Sequence, residues 1–156
     1  MVNPMNTSVA TYRRITEADL PRVIELEAVA FPTPWTAEQY TAVMKQGGCA
    51  LFGAFFGEDL AGYVAVAVHK TIGEMEVYNI AVDERFRRRG IGKKLLELSL
   101  AAAGKNGTGT TFLEVRLSNV AAIALYESLG FIRAGVRKGY YHDTGEDALV
   151  YTRSLS

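Results

Sequence analysis

Apolar and polar residues change period several times along this chain, and each change marks an element. Residues 12–15 read as a short strand. Helical spacing follows at Leu20, Val23, Ile24 and Ala28, introduced by Thr16 with Asp19 three residues on, a capping-box-like start. Phe31-Pro32-Thr33-Pro34-Trp35 ends this helix, because two prolines in three positions cannot continue it. Thr36 and Gln39 form a second capping box ahead of Tyr40, Val43 and Met44, and Gly47-Gly48 close that helix. Residues 49–56 and 60–68 are apolar runs flanking Gly57-Glu58-Asp59, a hairpin, and residues 74–82 make a third strand. A helix with Ile91, Leu95, Leu98 and Ala102 on one face then runs to about Gly104. A strand over 110–117, a helix over 119–129 closed by Gly130, and strands over 131–141 and 148–153 complete the order. That order predicts a mixed α/β domain over residues 11–156 behind a flexible polar tail of residues 1–10.

The junction between the third strand and the long helix is Arg87-Arg88-Arg89-Gly90-Ile91-Gly92. A strand running through a basic glycine turn into a helix presents unpaired amides and the positive end of the helix dipole, an anion site. Glycines at 90 and 92 remove the Cβ atoms that would keep a phosphate away. A solvated basic turn is the plainer alternative. A dinucleotide fingerprint is excluded, since Leu95 stands where its third glycine belongs, and a P-loop is excluded by spacing.

Composition narrows the function classes. With 156 residues, seventeen basic and seventeen acidic side chains and no net charge, the chain does not resemble a dedicated nucleic-acid binder. Six of the basic residues nevertheless fall within ten positions (Arg85, Arg87, Arg88, Arg89, Lys93, Lys94), a focused anion site. Cys49 is the only cysteine, which excludes an internal disulfide and reads as a buried core thiol in a reducing compartment. His69 and His142 are too few and too isolated for a metal site, so no metal is expected. No apolar stretch is long enough for a signal peptide or a membrane span, and the expectation is a cytoplasmic protein without membrane contact.

Two side chains are candidates for chemistry. Strand alternation puts Glu114 on the face of Phe112 and Arg116, opposite Leu113, Val115 and Leu117. Burial would raise its pKa and Arg116 would lower it; a surface glutamate paired with Arg116 stands beside the catalytic reading. Tyr126 lies seven residues after Asn119, two helical turns, so the pair shares a face that an elongated ligand can track. The alternative is a tyrosine packed on the sheet. Trp35 reads most simply as a loop anchor in the core.

The basic loop resembles the Arg/Gln-x-x-Gly-x-Gly/Ala loop of the GNAT superfamily of N-acetyltransferases. The run Glu114-Val115-Arg116-x-Ser118-Asn119-x-Ala121-Ala122-Ile123-x-Leu125-Tyr126-x-x-x-Gly130-Phe131 resembles that family's second block. Asn79-Ile80-Ala81-Val82-Asp83, Phe31-Pro32, Trp35-Thr36, Tyr140-Tyr141 and Glu146-Asp147-Ala148 extend the resemblance to the RimI-type branch, which acetylates the N-terminal alanine of a small-subunit ribosomal protein. The segment from Phe31 to Trp35 is longer than the Phe-Pro-Trp of some relatives.

The resemblance implies a GNAT fold, an α/β (α+β) domain with a mostly antiparallel sheet of about seven strands and about four helices. It implies acetyl-CoA as co-substrate, a protein N-terminus as acceptor, and direct attack in a ternary complex. Glu114 is then the general base and Tyr126 the group that protonates, or hydrogen-bonds to, the departing thiolate. Backbone amides of Ile80, Ala81 and Val82 would polarise the thioester carbonyl. Arg88, Arg89, Gly90, Ile91, Gly92 and Lys93 would hold pyrophosphate, and Asn119 the pantetheine arm. Phe31, Trp35, Tyr140 and Tyr141 would line the acceptor groove. A lysine or small-amine acceptor, and an idle acetyl-CoA-binding module, are the rival readings; the presence of both Glu114 and Tyr126 speaks against the idle one. The sequence leaves a partner subunit open.

Overall fold

A computed structural model describes residues 9–155. The tail expected over residues 1–10 lies outside the described residues apart from exposed Val9 and the adjoining Ala10. The elements are β1 (Thr11–Arg14), α1 (Leu20–Ala30), α2 (Ala37–Lys45), β2 (Cys49–Phe56), β3 (Asp59–His69), β4 (Glu74–Val82), α3 (Ile91–Lys105), β5 (Thr110–Arg116), α4 (Val120–Ser128), β6 (Ile132–Tyr141) and β7 (Glu146–Ser154). The strands form a seven-stranded sheet in the order β1-β2-β3-β4-β5-β7-β6. β1 pairs antiparallel with β2, and β7 antiparallel with both β5 and β6; β4 pairs parallel with β5. The fold class expected from the sequence, seven strands and four α-helices, is the one present. No described helix is long and apolar enough to cross a membrane.

The chain gathers into two compact units. One is the chain up to Ala65 together with Asn79–Leu96; the other is Val66–Tyr78 with the chain from Glu97 onward.

In the first unit, the Thr16–Asp19 capping box opens a 3-10 turn, Glu17–Asp19, and α1 starts behind it with Pro21 in its first turn, where proline's missing N–H costs nothing. The buried stripe of α1 runs through Leu20, Val23, Leu26 and Glu27. Ala28, expected on that stripe, is exposed. Phe31 ends the helix in an extended conformation. The Thr36–Gln39 box is complete in both directions and starts α2. Cys49, expected in the core, is only half-buried at the start of β2, where partial burial raises its thiol pKa. Of α3 this unit holds the buried Ile91, Leu95 and Leu96; the remainder of the helix belongs to the second unit, with Ser99, Leu100 and Ala103 buried and Leu98 and Ala102 exposed. Steps of four from Ile91 keep the helix face turned inward; the step of three to Leu98 leaves it.

In the second unit β5 alternates as expected, with Thr111, Leu113 and Val115 buried and Phe112, Glu114 and Arg116 on the other face. α4 ends in a double closure: the Gly130 amide bonds the Glu127 carbonyl and the Phe131 amide the Tyr126 carbonyl. That geometry needs φ near +85° at residue 130, which glycine adopts without strain. A turn over residues 142–145 joins β6 to β7.

Candidate active site

The end of β4 and the start of α3 are fixed from beneath by a glycine. A Cβ at Gly62 on β3 would sit 3.0 Å from the Ala81 carbonyl, 3.2 Å from Ile91 Cγ2 and 3.3 Å from Val82 Cγ2. Nothing larger than glycine lets these backbones approach so closely. The Asp83 amide continues the contact by bonding the Ala61 carbonyl at 2.7 Å. Asp83 itself caps the short turn Glu84–Phe86 and gathers Arg85 and Arg22 onto its carboxylate. Hydrogen bonding from Arg85, followed by the Arg85 amide and Arg22, holds the Asp83 carboxyl down to about 2 against the cost of burial.

Beyond Asp83 the basic residues divide by task. Arg85 is occupied by Asp83, Arg87 Nε bonds the Val82 carbonyl at 3.3 Å, and Arg89 lies over the stacked rings of Phe56 and Phe86. Arg88 is exposed with φ of 65°, the one non-glycine residue in the left-handed region among those described, and Gly90 has φ of 74°. A Cβ built on Gly90 meets nothing within 4 Å, and the Gly90 carbonyl accepts from the Lys94 amide, so α3 begins at an open approach. The first-turn amides of Ile91, Gly92 and Lys93 have no carbonyl of their own helix to bond.

Phe31 and Trp35 sit at the same unit's turn between α1 and α2. Both are half-buried; Trp35 lies against Tyr40 with ring centroids 5.0 Å apart, and its backbone amide bonds Glu27 Oε2 at 2.9 Å. Trp35 is thus an anchored loop residue at the surface, not one sunk in the core.

The second unit holds the remaining candidates. Glu114, 16% exposed, faces Arg137 Nε at 3.1 Å, Arg137 lies over the Tyr140 ring at 5.7 Å, and the nearby Glu114 carboxylate, ahead of burial, raises the Tyr140 phenol. The pairing with Arg116 that adjacency suggested does not form. Arg116 instead grips Asp143 with both terminal nitrogens, at 3.0 and 2.8 Å, approaches Glu146 at 3.6 Å, and covers the Tyr141 ring at 3.9 Å. Burial pushes the Tyr141 phenol up to about 12, with Arg116 opposing. Glu76 on β4 is raised by burial and then by the nearby Glu114 charge, and His69 lies 3.8 Å from it. Sequence reading passed over both Glu76 and Arg137. The signal for Glu76 was its place on the strand face shared with Glu74 and Tyr78; that for Arg137 emerges only from the strand order.

Tyr140 and Tyr141 come after a bulge. Register shifts between Arg137 and Tyr141, Gly139 has φ of 60°, and the Gly139 amide bonds Asp147. A bulge re-aims the residues that follow it, and here two consecutive tyrosines pack edge to face at 5.2 Å. Tyr126 is buried and its ring meets Phe131 at 5.8 Å. Burial, then the proximity of Tyr141, raises its pKa. Asn119 is the N-cap of α4, with non-helical backbone, and its side-chain oxygen accepts the Ala122 amide at 3.2 Å.

Phe31, Trp35, Ile80, Ala81, Val82 and the basic loop therefore lie in one unit. Glu114, Asn119, Tyr126, Tyr140 and Tyr141 lie in the other, where Arg137 meets both Glu114 and the Tyr140 ring, and Tyr140 packs on Tyr141.

Residues 20–131 match the Acetyltransferase (GNAT) family. The chain is a GNAT acetyltransferase. It is 37% identical over 149 residues to the ribosomal protein bS18-alanine N-acetyltransferase of Escherichia coli K12, covering 94% of this chain and 98% of that one. The crystal structure of the E. coli enzyme superimposes with a TM-score of 0.85 over 95% of both chains. The N-alpha-acetyltransferase RimI of Mycobacterium tuberculosis H37Rv is 39% identical over 153 residues, 95% of this acetyltransferase and 94% of that one. A Mycobacterium leprae protein is 38% identical over 143 residues, and the acetyltransferase spans 39% of its length. The RimI-type resemblance of the sequence thus extends over nearly the whole enzyme.

Proposed function

We propose that this acetyltransferase moves acetyl from acetyl-CoA to the α-amino group of a protein, with the N-terminal alanine of a small-subunit ribosomal protein as acceptor, in the cytoplasm. The observation that carries the reading is the ion pair of Glu114 with Arg137, whose guanidinium lies over the Tyr140 ring at 5.7 Å. It joins a carboxylate suited to deprotonating an amine to the bulged hairpin suited to covering a peptide's first residues. The near full-length identity to two N-α-acetyltransferases supports the same acceptor class.

The chain's own residues fit the co-substrate. Open space at Gly90 and the unpaired first-turn amides of α3 suit a pyrophosphate, with Arg88, Arg89, Ile91, Gly92 and Lys93 around it. The Asn119 side-chain oxygen is taken by its own cap, so its amide NH2 is the group that bonds a pantetheine carbonyl. Amides of Ile80, Ala81 and Val82 act as donors to the thioester oxygen.

An α-amino group has a pKa near ~8 and is largely protonated at neutral pH. Glu114 takes that proton, directly or through water, and Arg137 holds its carboxylate in place. The Tyr126 phenol, raised above its ordinary range, gives no net proton to a thiolate whose own pKa is near ~8.5. It stabilises the leaving sulfur by hydrogen bonding. Phe31, Trp35, Tyr140 and Tyr141 bound the acceptor. The test is acetyl transfer to short peptides with free and blocked N-termini.

A further inference from the structure

Among the described residues Glu27 is the only fully buried carboxylate, at 0% exposure, and catalysis has no use for it. Its two oxygens do different things. Oε1 accepts from the hydroxyls of Tyr40 and Tyr63, the latter at 2.5 Å, and from Asn79 Nδ2 at 2.7 Å. Oε2 accepts the backbone amide of Trp35 at 2.9 Å. The four donors are neutral and come from α2, β3, β4 and the turn after α1. A buried carboxylate is costly unless its lone pairs are satisfied, and an apolar side chain would fill the inner face of α1 without that cost. What the carboxylate supplies is a fixed geometry: residues 31–36, rich in proline and without helix or strand of their own, are tied to β4 at Asn79, next to Ile80.

We propose that Glu27 is a positioning residue for the acceptor, clamping residues 31–36 through the Trp35 amide and so holding the wall of the acceptor groove in register with β4. The inference rests on the reading that Phe31 and Trp35 line that groove.

The division between the two oxygens makes the test selective. Glu27→Gln keeps an oxygen for Tyr40, Tyr63 and Asn79 but turns an NH2 toward the Trp35 N–H, donor against donor. Tyr63→Phe removes a bond to Oε1 and leaves the Trp35 tether. Pro34→Gly, at an exposed position, loosens the same segment without touching Glu27 and serves if Glu27→Gln does not fold. Trp35 is the only tryptophan, so acrylamide quenching of its fluorescence reports the segment directly.

With the full chain, acetyl-CoA and a peptide beginning with alanine, Glu27→Gln is expected to raise the acceptor KM about tenfold, loss of a bond to a charged group, while the acetyl-CoA KM stays within about twofold. Quenching should increase. Pro34→Gly should raise the acceptor KM by about threefold or more, and Tyr63→Phe should lower Tm with the acceptor KM nearly unchanged. Increased quenching with an unchanged acceptor KM would overturn the proposal, as would an equal rise in acceptor KM for Tyr63→Phe. If the wild type acetylates no N-terminal peptide, the functional reading fails on its own account. The clamp is then judged by fluorescence, and unchanged Trp35 quenching in Glu27→Gln refutes it.

Discussion

The Glu114 carboxylate on β5 meets the Arg137 guanidinium on β6 at 3.1 Å, reaching across β7, which lies between the two strands. Ala148 on β7 pairs in register with both Arg116 and Arg137 and offers only a methyl group, so long side chains can cross it. Glu114 is thereby held by a residue twenty-three positions away while its neighbour Arg116 is drawn to the turn at Asp143. Glu114→Gln should preserve the fold and lower kcat on the order of 10²-fold at neutral pH, with the loss shrinking at high pH where the amine is already neutral. Arg137→Gln should cost less, because Arg137 orients the Glu114 carboxylate and takes no proton itself. Comparing kcat/KM for the two variants across pH checks the ranking.

Tyr126→Phe should reduce kcat about tenfold or more, with acetyl-CoA affinity near wild type, because only the hydroxyl proposed to meet the leaving sulfur is removed. The measurement requires single-turnover conditions, so that product release does not mask the chemical step. A variant at full speed under those conditions removes Tyr126 from the reaction.

Local chemistry made much of this fold legible in the sequence. The Thr36–Gln39 box, the glycine closing α4 and the limits of β4 depend on neighbouring residues, and they stand where the sequence put them. Two features were hidden because long-range partners decide them, and a third turns on where α4 begins. A glutamate within a helix reads as solvent-facing, yet Glu27 finds donors eight to fifty-two positions away. Two residues apart on a strand, Glu114 and Arg116 share a face about 7 Å apart, but each has a better partner across β7 or at the β6–β7 turn. Asn119, two turns before Tyr126 by count, is the N-cap of α4, so its side-chain oxygen is spent on the Ala122 amide.

Gly90 has φ of 74° and space in front of it. Acetyl-CoA should raise the melting temperature of the wild type, since a ligand bound only by the folded state stabilises that state. Gly90→Glu should abolish the shift by adding bulk and negative charge at the start of α3. Thermal melts with and without acetyl-CoA decide it; a folded variant with a normal shift contradicts the assignment of the loop.

Asp83 is a carboxylate whose pKa is lowered to about 2, first by Arg85, so its folded value lies below the ordinary unfolded value near ~3.9. Its stabilising contribution is therefore present in full above that unfolded value and is lost as pH falls toward 2. Asp83→Asn should lower Tm at pH 7 and change it little near pH 2. A Tm difference that is constant across this range would show that the Arg85 and Arg22 contacts are not the source.

The acceptor itself is the central claim, and one measurement addresses it most directly. The protein is incubated with acetyl-CoA and paired peptides: one with a free N-terminal alanine, one with the same sequence N-terminally blocked and carrying lysine, and one with a bulky first residue. Mass spectrometry then locates the acetyl group. The account predicts acetyl on the α-amine of the alanine peptide, a much slower reaction when the first residue is bulky, and none on the blocked peptide. Efficient acetylation of lysine in the blocked peptide, with none on the free N-terminal alanine, would contradict it.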